Sequence, residues 1–137
     1  VSKEQAPQLS TLKALDLWYD VQVRALQSFD VDLSARQSVI LMHVYVQEGP
    51  HTIRSLSEKL HISKAAVCRA VDTLSIAKLL KRKKDEKDRR NVFVQRTIQG
   101  SVFLSDFADI IMQVAEPRGL KVSGYTPSMP VAATVDS

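Results

Sequence analysis

The sequence predicts a mainly α-helical fold with one small β-hairpin set between its fourth and last helices. Three observations predict it: apolar residues recur at spacings of three and four over most of the chain, two consecutive segments read as helix, tight turn, helix, and a charged run followed by alternating Val92-Phe93-Val94-Gln95 interrupts the helical pattern once. At 137 residues, 45% of them hydrophobic, the chain fits a single domain with one core.

The first helix is expected over Leu9 to Phe29. Leu12, Leu15, Tyr19, Val23 and Leu26 share one face, while Leu17, Trp18 and Val21 lie off that stripe. A helix that is apolar on more than one face has more than one partner, so this one is expected to pack on its own domain and on a second chain. Asp30, Val31 and Asp32 end it.

Ser34 opens the second helix with Gln37 three residues on, a spacing at which each side chain satisfies the other residue's free backbone N–H. Val39, Ile40, Met42, Val44 and Val46 make it apolar nearly all round, a core helix closed by Gly49-Pro50. Thr52 caps a short third helix carrying Ile53, Leu56 and Leu60. His61-Ile62 makes the tight turn, and Ser63 caps the fourth helix. There Val67, Val71 and Leu74 face inward, and Lys64, Cys68, Arg69 and Asp72 fall on the other side.

After Leu79-Leu80 the charged stretch Lys81 to Arg90 leads into the alternating segment, a two-stranded hairpin with a charged tip in which Phe93 is expected to face the core. Thr97 caps a last helix with Val102, Phe103, Phe107, Ile110, Ile111 and Val114 on a broad apolar face, and Pro117 stops it. Arg118 to Ser137, with Gly119, Gly124, Pro127 and Pro130, reads as a flexible tail.

Composition narrows the function. Cys68 is the only cysteine, which excludes an intrachain disulfide and a zinc site of several thiolates, and His43, His51 and His61 lack metal-ligand spacing, so neither metal nor cofactor is expected. The longest apolar run, Val39 to Val46, is too short to cross a bilayer, and no secretion signal is expected. A first residue other than Met suggests a trimmed or processed chain, and a lost leader is not expected. No nucleophile elbow, phosphate-binding loop or dinucleotide fingerprint is present, which argues against an enzyme. Charge is the informative quantity: from His51 to Arg96 there are 13 Lys and Arg against 5 Asp and Glu, a net +8 within a chain of net +4.

A helix-turn-helix followed at once by a basic hairpin has a direct use on double-stranded DNA. The second helix fits the major groove, and the hairpin lies along the phosphates, where Lys and Arg displace condensed counterions. Two stretches, Leu56 to Leu74 (LSEKLHISKAAVCRAVDTL) and Arg82 to Gly100 (RKKDEKDRRNVFVQRTIQG), resemble the helix-turn-recognition-helix and the wing of the MarR (multiple antibiotic resistance regulator) family of winged helix-turn-helix proteins. Asp85, Asp88-Arg89-Arg90 and Thr97 with Gly100 carry the second match, and with its flanking helices the resemblance runs from about Leu9 to Ala115.

The lone cysteine fits a reducing cytoplasm, and the resemblance implies a dimeric transcription regulator, a repressor on a pseudo-palindromic operator. Its parts would be an N-terminal dimerisation helix (1–33), a DNA-binding lobe (34–97), a C-terminal dimerisation helix (98–116) and a tail (117–137). The recognition helix, 63–75, would bring Ser63, Lys64, Cys68 and Arg69 to base edges or phosphates. The wing, 81–96, would bring Lys83, Lys84, Lys87, Arg89 and Arg90 to the backbone and minor groove, with Asp88 orienting an arginine or capping the turn. A small aromatic ligand releasing the DNA is implied, with Trp18, Tyr19, His43 and Tyr45 as lining residues or as core. Cys68 beside Arg69 and Lys64 suggests a redox switch, but relatives that sense oxidants carry their cysteine in the first helix.

The sequence departs from the family at His61 and Lys78, where glycine is common, and at 125–130, where the prolines forbid the usual sixth helix and leave dimerisation to the first and last helices. The alternative of another class is a winged helix used as a protein-interaction or assembly module. Lys64, Arg69 and the run from Lys81 to Arg90 count against it, and the shortage of stacking aromatics counts against single-stranded nucleic acid or RNA.

Overall fold

The structure is a computed structural model that describes residues 8–121. The elements follow in the order α1 (Thr11–Ser28), α2 (Ala35–Val46), α3 (Ile53–Leu60), α4 (Lys64–Ile76), β1 (Leu80–Lys84), β2 (Val92–Arg96) and α5 (Ile98–Ala115), with a 3-10 turn at Glu116–Arg118. They divide into two compact units, one running from Leu33 to Leu104 and the other combining residues 8–32 with residues 105–121.

In the unit from Leu33 to Leu104 the core is built from Ile40, Leu41, Val44 and Tyr45 of α2, Ile53 and Leu56 of α3, Val67, Ala70, Val71 and Leu74 of α4, and Leu79, Leu80, Val94 and Leu104. Each helix starts where the sequence supplies a cap. Ser34 Oγ accepts from the Gln37 N–H while Gln37 reaches back to the Ser34 N–H, both side chains of a capping box. Thr52 and Ser55 make a second such box at α3, a Ser standing where Glu or Gln is more usual. Ser63 Oγ accepts from the Ala66 N–H to start α4.

The turn between α3 and α4 closes on a left-handed residue, His61, with φ 53°. The Ile62 N–H donates to the Ser57 carbonyl, and Ser57 Oγ donates to the Ile62 carbonyl at 2.6 Å, so the turn is held from both sides. Lys78, with φ 62°, plays the same part after α4. These are the two positions at which the resemblance leads one to expect glycine, and the backbone there is left-handed.

β1 and β2 pair antiparallel, Leu80 opposite Arg96 and Lys84 opposite Val92. The hairpin is therefore longer than the apolar alternation suggests, because half of the charged run is strand and the tip is confined to 85–91. Strand alternation puts Leu80, Arg82, Lys84, Val92 and Val94 on one face and Lys81, Lys83, Phe93 and Gln95 on the other. Val94 is the core residue of β2. Phe93 is half-buried on the opposite face, so the expectation that Phe93 enters the core is corrected by one step of register. The His51 carbonyl accepts from the Val94 N–H at 2.9 Å and Thr52 bridges to Phe93, so the segment before α3 is tied to β2 by an isolated bridge.

The second unit has a small core of Val21, Ile110 and Val114, with Leu17, Ala25, Phe29 and Phe107 packed around it. Of the α1 residues off the predicted stripe, Leu17 and Val21 pack here, while Trp18 is exposed. The stripe itself is exposed: Leu12, Leu15, Tyr19 and Leu26 are 63 to 77% accessible. Arg118 donates to Asp16 at 2.9 Å and lies 3.1 Å from Asp20, so the chain just past α5 is tied to α1. The remainder of the predicted tail, including 125–130, lies outside the described residues. Among the described residues no helix is long and apolar enough to cross a membrane.

Candidate nucleic-acid interface

Val67, Val71 and Leu74 are fully buried, and this fixes the rotation of α4 about its axis. The exposed face then carries Lys64, Ala65, Arg69, Asp72, Thr73 and Ile76. Lys64 and Arg69 are solvent-facing as predicted, with Ser63 exposed at the helix start, where free backbone N–H groups favour an anion. Cys68 is different: it is half-buried, packs against the core, and offers its carbonyl rather than its thiol to the neighbouring strand. Ala65 and Thr73 share the open face and were not singled out from the sequence, since a small residue and a β-branched residue in a helix give no signal of their own.

The wing presents Lys83, Lys84, Lys87, Arg89 and Arg90, all exposed. Alternation separates the two strand lysines: Lys84 shares the face of Arg82, and Lys83 lies on the face of Phe93. The tip is shaped by its aspartates. Asp85 Oδ1 accepts from the Lys87 N–H at 2.9 Å, and Asp88 Oδ1 accepts from the Arg90 N–H at 3.1 Å. The Asp88 carboxylate is also 3.9 Å from Arg90 Nε, but that guanidinium is 95% exposed. The backbone bond defines the turn, and the side chain of Arg90 stays available.

Arg82 is the residue that sequence reasoning missed. Its guanidinium donates to the Cys68 carbonyl at 3.0 Å and pairs with the Asp72 carboxylate at 2.7 Å, linking β1 to α4. In the sequence Arg82 is one cation in a run of four, and nothing but its strand parity distinguishes it.

Tyr45 and His43 belong to the same unit. The Tyr45 hydroxyl accepts from the Thr97 N–H at 2.8 Å and lies 2.9 and 3.1 Å from the Thr97 and Leu79 carbonyls, so its polar end is occupied at the joint between β2 and α5. A Cβ at Gly100 would collide with that hydroxyl and with the Leu79 carbonyl, which explains a glycine in the first turn of α5. Thr97 completes the joint, its Oγ1 accepting from the Gly100 N–H and donating to the Lys78 carbonyl. His43 meets His51 edge to face with ring centroids 5.3 Å apart. Burial first, then Lys59, holds the His43 imidazole below its usual range; for His51 burial again leads, opposed by the Gln47 carbonyl and reinforced by His43, Arg96 and Lys59. Trp18 and Tyr19 are in the other unit, exposed on α1. Among the described residues no group of three or more His, Cys, Asp or Glu is placed to hold a metal ion.

The sequence model of the MarR family matches residues 31–91, from the end of the turn before α2 to the edge of the second strand of the hairpin. Comparison with curated proteins finds no match. Among solved structures, the chain is similar to a MarR transcriptional regulator from Methanosarcina mazei Go1 (28% identity, 77% of each chain, TM-score 0.58) and to the transcriptional regulator Tm0710 from Thermotoga maritima (25%, 77% of this chain and 71% of that one, TM-score 0.62). It also has the fold of MepR from S. aureus in its complex with DNA (18%, 78% and 77%, TM-score 0.60). The first two are transcriptional regulators. The capped helix-turn-helix, the hairpin in register behind it and the matched segment agree: residues 31–91 match the MarR family model, and the chain has the winged helix-turn-helix fold of transcriptional regulators of that family.

Proposed function

We propose that the protein is a homodimeric transcription regulator, a repressor, that reads a pseudo-palindromic site on double-stranded DNA and lets go of it when a small ligand binds. The observation that carries this reading is the pairing of two basic surfaces in one unit: the open face of α4 with Lys64 and Arg69, and a wing on which Lys83, Lys84, Lys87, Arg89 and Arg90 are all exposed, joined by Arg82. Arg69 suits a bidentate contact to guanine, and the methyls of Ala65 and Thr73 suit a thymine methyl. Lys83, Lys84, Lys87 and Arg89 suit phosphates, and Arg90, held by a capped turn and free at its end, suits a narrow minor groove. Support also comes from MepR, which has this fold and is bound to DNA in the matched structure.

The exposed leucines of α1 favour a second copy as the partner, since a stripe of this size on a water-facing helix is stabilised by burial in an interface. Chromosomal DNA as the target implies work in the cytoplasm. Selection of bound fragments from genomic DNA, followed by footprinting, tests the reading. A dyad-symmetric footprint with half-site centres about one helical turn apart, roughly 34 Å, is expected. Failure to enrich any sequence, together with a monomer in sedimentation, would favour an interaction module instead.

A further inference from the structure

His51 is the most deeply buried of the histidines, 5% exposed, and it stands at the root of the wing. Its backbone carbonyl accepts from the Val94 N–H, and the next residue, Thr52, bridges to Phe93. Its ring is committed on one side only. Nε2 donates to the Gln47 carbonyl at 3.1 Å, which leaves Nδ1 as an unprotonated acceptor, shut away from solvent and without a partner. His43 Nε2 is likewise buried and without a partner, and the two rings meet edge to face.

We propose that the His43–His51 pair is an acid-sensitive pin between α2 and the wing, and that its protonation below neutral pH loosens the strand pairing that holds β2, lowering affinity for DNA. A proton arriving at His51 Nδ1 creates a buried N–H with no acceptor and a charge beside a second imidazole. Both are relieved most cheaply if the 51–52 segment leaves β2.

Charged groups on two of the packed elements oppose the proton. Lys59 lies on the α3 side and Arg96 on the β2 side, where its guanidinium donates to the Val44 and Gln47 carbonyls. Lys83 of β1 and Gln95 of β2 line the same hollow of about 470 Å³ as His51, and so does Glu48, which is exposed to solvent. Both imidazoles are held below their ordinary range, chiefly by burial. The sign follows: the unfolded chain takes up the protons first, so the stabilisation is complete above the ordinary imidazole pKa of about 6.5 and is lost as pH falls below it.

The effect on DNA rests on the proposed function, but the wing pairing does not, and the test separates them. Backbone amides of Phe93, Val94 and Gln95 and the ring C2 protons of His43 and His51 are followed by NMR from about pH 7.5 to about pH 5.5, alongside anisotropy binding to a fluorescent duplex of randomised sequence. The wing amides are expected to titrate with the rings, and affinity to fall over that range by the factor by which the pinned population falls, with about a tenfold loss if one molecule in ten remains pinned. His43→Gln combined with His51→Gln should abolish both changes. Rings that titrate while the wing amides stay still, or a double variant with the wild-type pH profile, would overturn the proposal. If the double variant does not fold, the wild-type titration and His43→Gln alone decide. If the wild type binds no duplex at pH 7.5, the DNA reading fails while the amide titration still decides the pin.

Discussion

The Arg82 guanidinium lies 2.7 Å from the Asp72 carboxylate and donates to the Cys68 carbonyl at 3.0 Å, so the first wing strand is fastened to the middle of α4 by one side chain. Both partners stay open to solvent, the Arg82 side chain 35% and that of Asp72 60% exposed, which limits the energy of the pair. Its value lies in geometry, since it sets where the wing's cations stand relative to Arg69. Arg82→Ala and Asp72→Asn are each expected to destabilise by no more than about 1 kcal/mol, with a coupling of roughly 0.5 kcal/mol in a double-mutant cycle. Hydrogen exchange should reveal the larger effect: faster exchange of the β1 and β2 amides in both variants, with the α4 core amides unchanged. Equal protection of the wing in wild type and Arg82→Ala would show that the strand is held without this link.

The two elements proposed to contact DNA should fail differently. Arg69→Ala is expected to relax base preference at one position per half-site, by about 1–3 kcal/mol for the preferred base, while non-specific binding persists. Arg89→Ala with Arg90→Ala should weaken binding to every sequence and reduce the salt slope by about one unit for each phosphate that is no longer neutralised. Titrations of selected and scrambled duplexes at several salt concentrations measure both. A wing variant indistinguishable from wild type on all duplexes would remove the hairpin from the interface.

Tyr45 tests a structural role against a ligand-lining one. Tyr45→Phe strands the Thr97 N–H and removes a donor from the Thr97 and Leu79 carbonyls, so a loss of about 1–3 kcal/mol is expected in urea denaturation. Gly100→Ala, whose Cβ meets the same hydroxyl and a backbone carbonyl, should be at least as damaging. A Tyr45→Phe variant of unchanged stability but altered ligand response would reverse the assignment.

His61 and Lys78 hold left-handed backbone at φ 53° and 62°. Replacing either by glycine removes a conformational penalty of about 1 kcal/mol, partly offset by the extra freedom of the unfolded chain, so each variant should be equal to or slightly more stable than wild type. A clear fall in thermal midpoint for Lys78→Gly would mean that its side chain contributes more than the backbone strain takes away.

Local chemistry made much of this protein legible from its residues alone. Ser34, Thr52, Ser63 and Thr97 mark helix starts because a hydroxyl at that spacing satisfies a free N–H whatever surrounds it, and the spacing of Val67, Val71 and Leu74 sets the inner side of α4. The basic character of the interface is a sum over side chains and needs no fold to be seen. Tertiary structure decided what depends on partners distant in sequence. It chose Val94 over Phe93 for the core, because a strand one residue out of step exchanges its faces. It turned Val21 rather than Leu15 or Leu26 inward, because an α1 apolar on two sides must be told which side meets α5. It set Arg82 apart from Lys81, Lys83 and Lys84, because only the pairing of β1 with β2 aims that one guanidinium at Asp72. And it brought His43 to His51, eight residues on, because α2 and the segment that follows it are folded against the same strand.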